Sequence, residues 1–285
     1  MDSDKILALC ADLKLSDDQG DVHLVGGRVK EEGSKKMSLC LVGKLLAGRQ
    51  TNREAFRALI PKIWRTNQEV IIEIVRDNTY AFYFQNLRDK KRVLAGGPWS
   101  FDNSLLVLEE PQGWGDFTKM QFKYAEFWVE IHNVPLMCMS RDIGVMLGSK
   151  IGAVKEIDLG ATGDCVGKFI RVRVTIDISR PLKRGLRIQL EDSCEEQTLL
   201  LRYEKMPEFC FVCGMIGHSS RECPSLETSA DGLLHDNYKY GTWLRANSPP
   251  RDRQLRTGRF TGTKSAESPP GVDLRKHLAR WGGGC

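Results

Sequence analysis

Apolar residues recur at helical spacing near the start of the chain, where Ile6, Leu7, Leu9, Cys10 and Leu13 predict a short amphipathic helix closed by a loop over residues 16–20. The stretch from there to about Lys36 is rich in glycine and charge and reads as a linker, so residues 1–36 form one N-terminal segment. The pattern then becomes regular. Residues 39–46 are an apolar strand. Residues 52–64 carry Phe56, Leu59, Ile60 and Ile63 on one helical face, with Thr51 or Asn52 as cap. Residues 70–75 and 80–84 alternate as two strands about the Asp77-Asn78 turn. A short helix over 88–94 ends at Gly96-Gly97-Pro98, and 104–108 is a further strand. Strand, helix, strand, strand, helix, strand is an α+β order, and it predicts a ferredoxin-like (RRM-like) βαββαβ domain over 37–112.

A second mixed α/β segment is expected over 120–206. Residues 128–132 read as a strand ending at Val134-Pro135, 141–150 as a helix, and 154–158, 169–178, 186–190 and 198–203 as strands. Arg171, Arg173 and Thr175 alternate with Val172, Val174 and Ile176, so one face of that strand is apolar and the other carries two arginines. That second face suits either a solvated sheet surface or a phosphate contact.

Charge divides the chain unevenly. Residues 237–285 hold ten Lys or Arg against three Asp or Glu, a net of +7, and residues 1–236, with 32 against 34, stand at −2. Pro249-Pro250, Pro269-Pro270 and the scarcity of apolar residues predict a mostly disordered basic tail over 226–285, with Tyr240-Gly241-Thr242-Trp243-Leu244 as an ordered clamp within it. A basic tail attracts polyanions. The acidic, interrupted N-terminus does not read as an export signal, and no stretch approaches the roughly 20 uninterrupted apolar residues that span a bilayer. The expectation is an intracellular protein of nucleus or cytoplasm without a membrane partner. Nine cysteines, six of them scattered, fit a reducing compartment better than a disulfide framework.

The other three are clustered. Cys210, Cys213, His218 and Cys223 have the spacing C-x2-C-x4-H-x4-C, which predicts residues 207–225 to be a zinc knuckle. Three thiolates and an imidazole complete a tetrahedral shell around one Zn2+, leaving no position for activated water, so the metal is structural. Gly214 and Gly217 suit the tight turns of so small a ring. On such a knob Phe211 and Ile216 are expected as exposed apolar groups, Phe211 stacking on unpaired bases, with Arg221 meeting a phosphate. The tail supplies further contacts through Lys239, Trp243, Arg245, Arg251, Arg253, Arg256 and Arg259, interleaved with Tyr238 and Tyr240. The Tyr80, Phe82 and Phe84 face of the third strand suits either a stacking platform or a core.

No phosphate-binding loop, H-E-x-x-H helix or G-x-S-x-G elbow occurs, and Asp158, Asp164 and Asp177 fit turn or strand-end roles better than a catalytic metal site. The chain is not expected to be an enzyme. Several stretches, taken together, resemble a plant family of retrotransposon-derived, gag-like proteins that joins a domain of unknown function (number 4283) to a CCHC zinc knuckle. They are Gly96-Gly97-Pro98-Trp99; residues 127–135 (FWVEIHNVP); Ile151-Gly152-Ala153-Val154; residues 171–177 (RVRVTID) with Pro181-Leu182; Tyr203-Glu204-Lys205-Met206-Pro207; the cysteine cluster; and Tyr240-Gly241-Thr242-Trp243-Leu244. The resemblance implies zinc and nucleic-acid binding at Cys210, Cys213, His218 and Cys223 and leaves the upstream domain without a defined role. The expected function is zinc-dependent binding of single-stranded nucleic acid, RNA favoured over DNA, with little sequence preference and with self-association left open. The alternative is a protein-interaction adaptor that uses the knuckle as its docking surface.

Overall fold

The computed structural model describes residues 24–113, 115–190, 195–225 and 238–247. The expected helix over 1–20 and the basic residues Arg251, Arg253, Arg256 and Arg259 lie outside the described residues. The chain is mixed α/β, built on two antiparallel sheets.

The first sheet comprises β1 (Cys40–Leu46), β2 (Ile71–Arg76), β3 (Thr79–Tyr83), β4 (Trp99–Phe101) and β5 (Ser104–Glu109), in the order β2-β3-β1-β5-β4. Three helices accompany it: α1 (Gly27–Ser38), α2 (Arg53–Trp64) and α3 (Leu87–Gly96). Helix α2 starts where the Asn52 side chain accepts the N–H groups of Glu54 and Ala55 at 3.1 and 3.0 Å. It stops where Arg65 turns left-handed, φ 49°. Its buried stripe is Phe56, Ile60 and Trp64, at i, i+4 and i+8, whereas Leu59 and Ile63, expected inside, are largely exposed. Asn86 caps α3, and Asp89 in its first turn is buried, accepting the backbone N–H groups of Asn67 and Gln68. That carboxylate ties the loop after α2 to the start of α3.

Two features depart from the sequence expectation. Residues 27–38, read as linker, form α1, a helix with no buried residue whose Lys36 ammonium lies 4.7 Å from the Tyr83 ring. A helix polar all round has no apolar period to reveal it. The short strand β4 forms a hairpin with β5 because Asp102 and Asn103 both take positive φ, the geometry of a two-residue hairpin turn.

The second sheet contains β6 (Tyr124–His132), β7 (Ala153–Ile157), β8 (Phe169–Asp177), β9 (Gly185–Gln189) and β10 (Glu196–Tyr203), in the order β7-β8-β6-β10-β9. Helix α4 (Arg141–Ile151) connects β6 to β7. Each sheet therefore has the same plan: the first strand is central, flanked by the third and the fifth, with the second and fourth at the edges, every pairing antiparallel. The second copy lacks a counterpart of α3.

Cores follow the alternation. Tyr80, Phe82 and Phe84 point toward α2, where Tyr80 stacks on Phe56 at 4.1 Å and Phe82 meets Trp64 at 4.8 Å. They are core, so the stacking-platform reading of these three rings fails. The opposite face of the first sheet, with Cys40, Val42, Ala81, Leu105 and Val107, is also buried and joins the apolar cluster of the second sheet. In that sheet Phe127, Val129 and Ile131 of β6, Val172 and Val174 of β8 and Leu199 and Leu201 of β10 line one face with Leu147 of α4. The other face is polar. Arg171 pairs with Glu204 through two bonds of 2.5 and 2.8 Å and lies 3.8 Å over the Trp128 ring, and Arg173 pairs with Glu126 at 2.6 Å. Both arginines are consumed internally, so neither a merely solvated face nor a phosphate contact describes them.

Candidate metal centre and nucleic-acid interface

The chain leaves β10 through Met206 and Pro207 and enters a loop whose ligand atoms converge. The donor atoms of Cys210, Cys213, His218 and Cys223 all lie within 4.8 Å of one another, and Cys213 Sγ is 3.4 Å from His218 Nε2. Four donors that close together match the span of a tetrahedral zinc shell with bonds of roughly 2.0–2.3 Å. Local folding brings them there. The Cys210 N–H donates to Met215 O and the Gly214 N–H to Cys210 O, closing a turn in which Gly214 has φ +76° and Gly217 φ +105°. Ser219 and Glu222 form a reciprocal cap over the last turn, which presents Cys223.

The first two cysteines differ in their electrostatics. Burial pushes the Cys213 thiol up to about 11, with the neighbouring Cys210 and Cys223 sulfurs acting in the same direction. Burial also opposes ionisation of Cys210, but the backbone groups of Cys213 and Val212 and the adjacent thiols outweigh it and bring that thiol below its ordinary value. A divalent ion bound among these donors favours the thiolate form of its ligands.

The loop is not a projecting knob. Phe209 and Ile216 are buried, at 2% and 7% exposure, and bridge each other in antiparallel fashion. Gly214 O accepts the Leu182 N–H at 2.9 Å, Glu208 N–H donates to Asn103 O at 2.8 Å, and Gly217 lies against Leu46. Both sheets therefore touch the loop. Residues 238–247 return as a strap. The Tyr240 N–H donates to Phe211 O, the Tyr240 ring covers Gly214, and Arg184 donates to Lys239 O while its guanidinium lies 5.5 Å from the Tyr240 ring. Leu244 is fully buried, Ala246 N–H donates to Tyr203 O, and Arg245 bridges Tyr203.

The residues expected at a nucleic-acid surface consequently divide. Ile216 is buried and has no accessible face, which corrects the expectation of an exposed group: on so small a loop it packs into the domain beneath. Phe211 is half-buried between Phe209 and Tyr238, with edge contacts at 5.1 and 6.4 Å. Arg245 is a tether, its guanidinium donating to Pro207 O and lying 5.6 Å from the Phe209 ring. Arg221 and Lys239 are exposed. Trp243 is 55% exposed, resting against Gly241, on which a Cβ would sit 2.0 Å from the ring. Sequence reasoning missed the roles of Leu182, which donates to the knuckle's Gly214 O, and of Arg184, which donates to the strap's Lys239 O; no local spacing marks either.

Comparison with known families now bears on these elements. A family model described as a domain of unknown function (DUF4283) matches residues 33–114, and one described as a zinc knuckle matches residues 176–225. The chain joins a DUF4283 domain to a CCHC zinc knuckle. The knuckle's Cys210, Cys213, His218 and Cys223 form a single structural zinc site. Neither matched module is catalytic, and the chain is zinc-binding and nucleic-acid-associated, in a retrotransposon-like context. It is similar to an uncharacterized protein of Arabidopsis thaliana, 23% identical over 136 residues, a match spanning 48% of this chain and 42% of that protein. A solved structure of the first two RRM domains of the yeast poly(U)-binding protein matches at 8% identity and a TM-score of 0.19, covering 57% of this chain and 98% of that one. Among the described residues no helix is long and apolar enough to cross a membrane.

Proposed function

We propose that the protein binds single-stranded nucleic acid, RNA in preference to DNA and with little sequence discrimination, as an intracellular gag-like protein of retrotransposon origin. The observation that carries the reading is the strap that docks on the zinc-ligand loop and bears Trp243, more than half exposed, and exposed Lys239, immediately before the basic tail. An indole face stacks on any unpaired base, and cations that follow it hold the phosphates without reading sequence. The strand order β2-β3-β1-β5 supports a ferredoxin-like, RRM-like assignment for the DUF4283 domain, but with its aromatic strand buried we assign base stacking to the strap and not to that sheet.

Titration of the zinc-loaded chain with homopolymer RNA, homopolymer DNA and duplex tests the assignment. Trp243→Ala should cost about 1–3 kcal/mol with single strands and much less with duplex, whose bases are already stacked. Trp243→Leu should lose most of the same energy. Phe211→Ala should cost less than Trp243→Ala, because half of its ring is already used inside the fold. Equal binding by Trp243→Ala and wild type would remove the strap from the recognition surface. The adaptor reading gains no support from Ile216, which is buried, and little from Phe211, which is half-buried.

A further inference from the structure

The net charge of −2 over residues 1–236 conceals a strongly polarised surface on the DUF4283 domain. Helices α2 and α3 pack on one face of the first sheet through Phe56, Ile60, Trp64 and Val93, so their outer sides form one continuous layer facing solvent. On α2 that outer side carries Arg53, Arg57 and Lys62, followed by Arg65 at the helix end, all exposed. On α3 it carries Arg88, Lys91 and Arg92, also exposed. Against these seven cations the outer faces of the two helices expose a single carboxylate, Glu54, since Asp89 is turned inward at 1% exposure. Arg92 spans the two elements, donating to Arg65 O and pairing with Asp89. None of Arg53, Arg57, Lys62, Arg88 and Lys91 forms an ion pair with another described residue.

Helix propensity does not require this bias. Solvent-facing helix positions are ordinarily filled with both signs, because alternating pairs three or four residues apart stabilise the helix and like charges at that spacing repel. Arg53 and Arg57 stand four apart with Glu54 as the one exposed acid between them, and Arg88 and Arg92 stand four apart with their interleaved acid, Asp89, buried. Such a field draws in a polyanion. The sheet, by contrast, offers nothing: one face is the core beneath these helices and the other is buried with the second sheet.

We infer that the outer face of α2 and α3 is a second nucleic-acid contact surface, which holds the phosphate backbone of a single strand by charge and makes no base contact. The inference rests on the reading of the chain as a nucleic-acid binder. It reverses the polarity of a stacking sheet, placing the contact on the helical layer, on the side of the first sheet away from the face whose Leu46 meets the knuckle.

The test uses the full zinc-loaded chain and poly(U) RNA over a range of salt. Arg57→Gln, Lys62→Gln, Arg88→Gln and Lys91→Gln combined should weaken binding roughly ten- to a hundredfold near 0.1 M salt and reduce the log–log salt slope by up to about 3, at about 0.7 per lost phosphate contact. The two halves, Arg57→Gln with Lys62→Gln and Arg88→Gln with Lys91→Gln, should each give about half the slope change, which keeps the test available should the fourfold variant fold poorly. A control with the same charge change elsewhere, Arg28→Gln, Lys30→Gln, Lys35→Gln and Lys168→Gln, should leave most of the affinity. Equal losses in test and control would reduce the effect to net charge and overturn the inference. Wild-type affinity and slope in the fourfold variant would overturn it while leaving the knuckle and strap reading intact. Loss of binding to phosphatidylserine vesicles alone, with RNA binding retained, would also overturn it. A wild-type chain that binds no single strand at all removes both readings.

Discussion

Gly214→Ala separates the strap from the knuckle without touching a zinc ligand. Two penalties combine at this position. The backbone sits at φ +76°, where a side chain costs about 1 kcal/mol. A Cβ would also lie 2.3 to 2.7 Å from three atoms of the Tyr240 ring, so the ring must leave. Tyr240 is half-buried, and losing that packing together with its N–H bond to Phe211 O costs about 1–2 kcal/mol more. The expected loss is about 2–3 kcal/mol in urea unfolding of the zinc-loaded protein, with zinc content unchanged. Hydrogen exchange should accelerate at the amides of Tyr240 and Ala246, which bond to Phe211 O and Tyr203 O. Gly241→Ala is the internal comparison. Gly241 is extended, φ −174°, so it suffers no backbone strain, yet a Cβ there meets the Trp243 ring at 2.0 Å. That variant should displace Trp243 and weaken nucleic-acid binding, at a smaller cost in stability. Unchanged exchange at Tyr240 and stability within about 0.5 kcal/mol of wild type in Gly214→Ala would refute the docking of the strap on the knuckle.

His218→Ala or chelation should remove zinc and raise exchange across both 208–225 and 238–247, while the amides of β1 and β3 stay protected; exchange confined to 208–225 would show that the strap stands without the metal. Asp89 carries a pH dependence. Burial opposes its ionisation, but the Asn86 side chain, the Gln68 and Asn67 N–H groups and Arg92 outweigh that and lower its pKa below the ordinary 3.8. A lowered folded value means that its stabilisation is complete above 3.8 and is lost as the pH falls below it, so Asp89→Asn should be less stable at neutral pH and show a shallower acid decline; parallel acid curves for the two proteins would contradict this. Truncation after residue 247 removes eight Lys or Arg against three Asp or Glu and spares the strap, so it should flatten the salt slope of RNA binding while preserving zinc content and the strap's exchange protection; an unchanged slope would deny the tail a role.

The parts of this structure that were legible in the sequence are those with a local signature. The zinc ligands declare themselves because metal geometry fixes both residue type and spacing. Helix α2 shows in its Asn52 cap and in Phe56 and Ile60, although Leu59 and Ile63 of the expected face are exposed and Trp64 is buried in their place, and β8 shows in its alternation. Tyr80, Phe82 and Phe84 were legible only as one face, because alternation places three rings together without saying whether helices or solvent lie above them. Helix α1 escaped for lack of an apolar period, and β4 because three residues are too few to establish one. Ile216 shows the limit most clearly. A loop closed by zinc needs no core of its own, and from that fact alone its apolar residue reads as presented to solvent; its burial depends on the bond from Leu182 N–H to Gly214 O and on Leu46 beneath Gly217, partners up to 171 positions away in the chain.

The repeated strand plan explains why we assign recognition to elements outside the two sheets. Two sheets of one topology could each offer a solvent-facing surface, yet each surface is spent inside the molecule. The first sheet loses one face to α2 and α3 and the other to the shared apolar cluster. The second sheet buries one face with α4 and turns the other toward the DUF4283 domain, where Arg173 donates to Leu94 O and Lys205 donates to Gly96 O, two carbonyls at the end of α3. Those cations satisfy helix-terminal carbonyls and neighbouring carboxylates, so they hold the two copies together at the expense of any phosphate contact. Among the described residues the exposed large aromatic side chains are Tyr124, at the start of β6, and Trp243 on the strap. Trp243 lies against Gly241, whose neighbour Tyr240 covers Gly214 of the knuckle. Zinc therefore does more than close a short loop: by fixing Gly214 it fixes the ground on which Tyr240 rests, and with it the position of the ring we assign to base stacking.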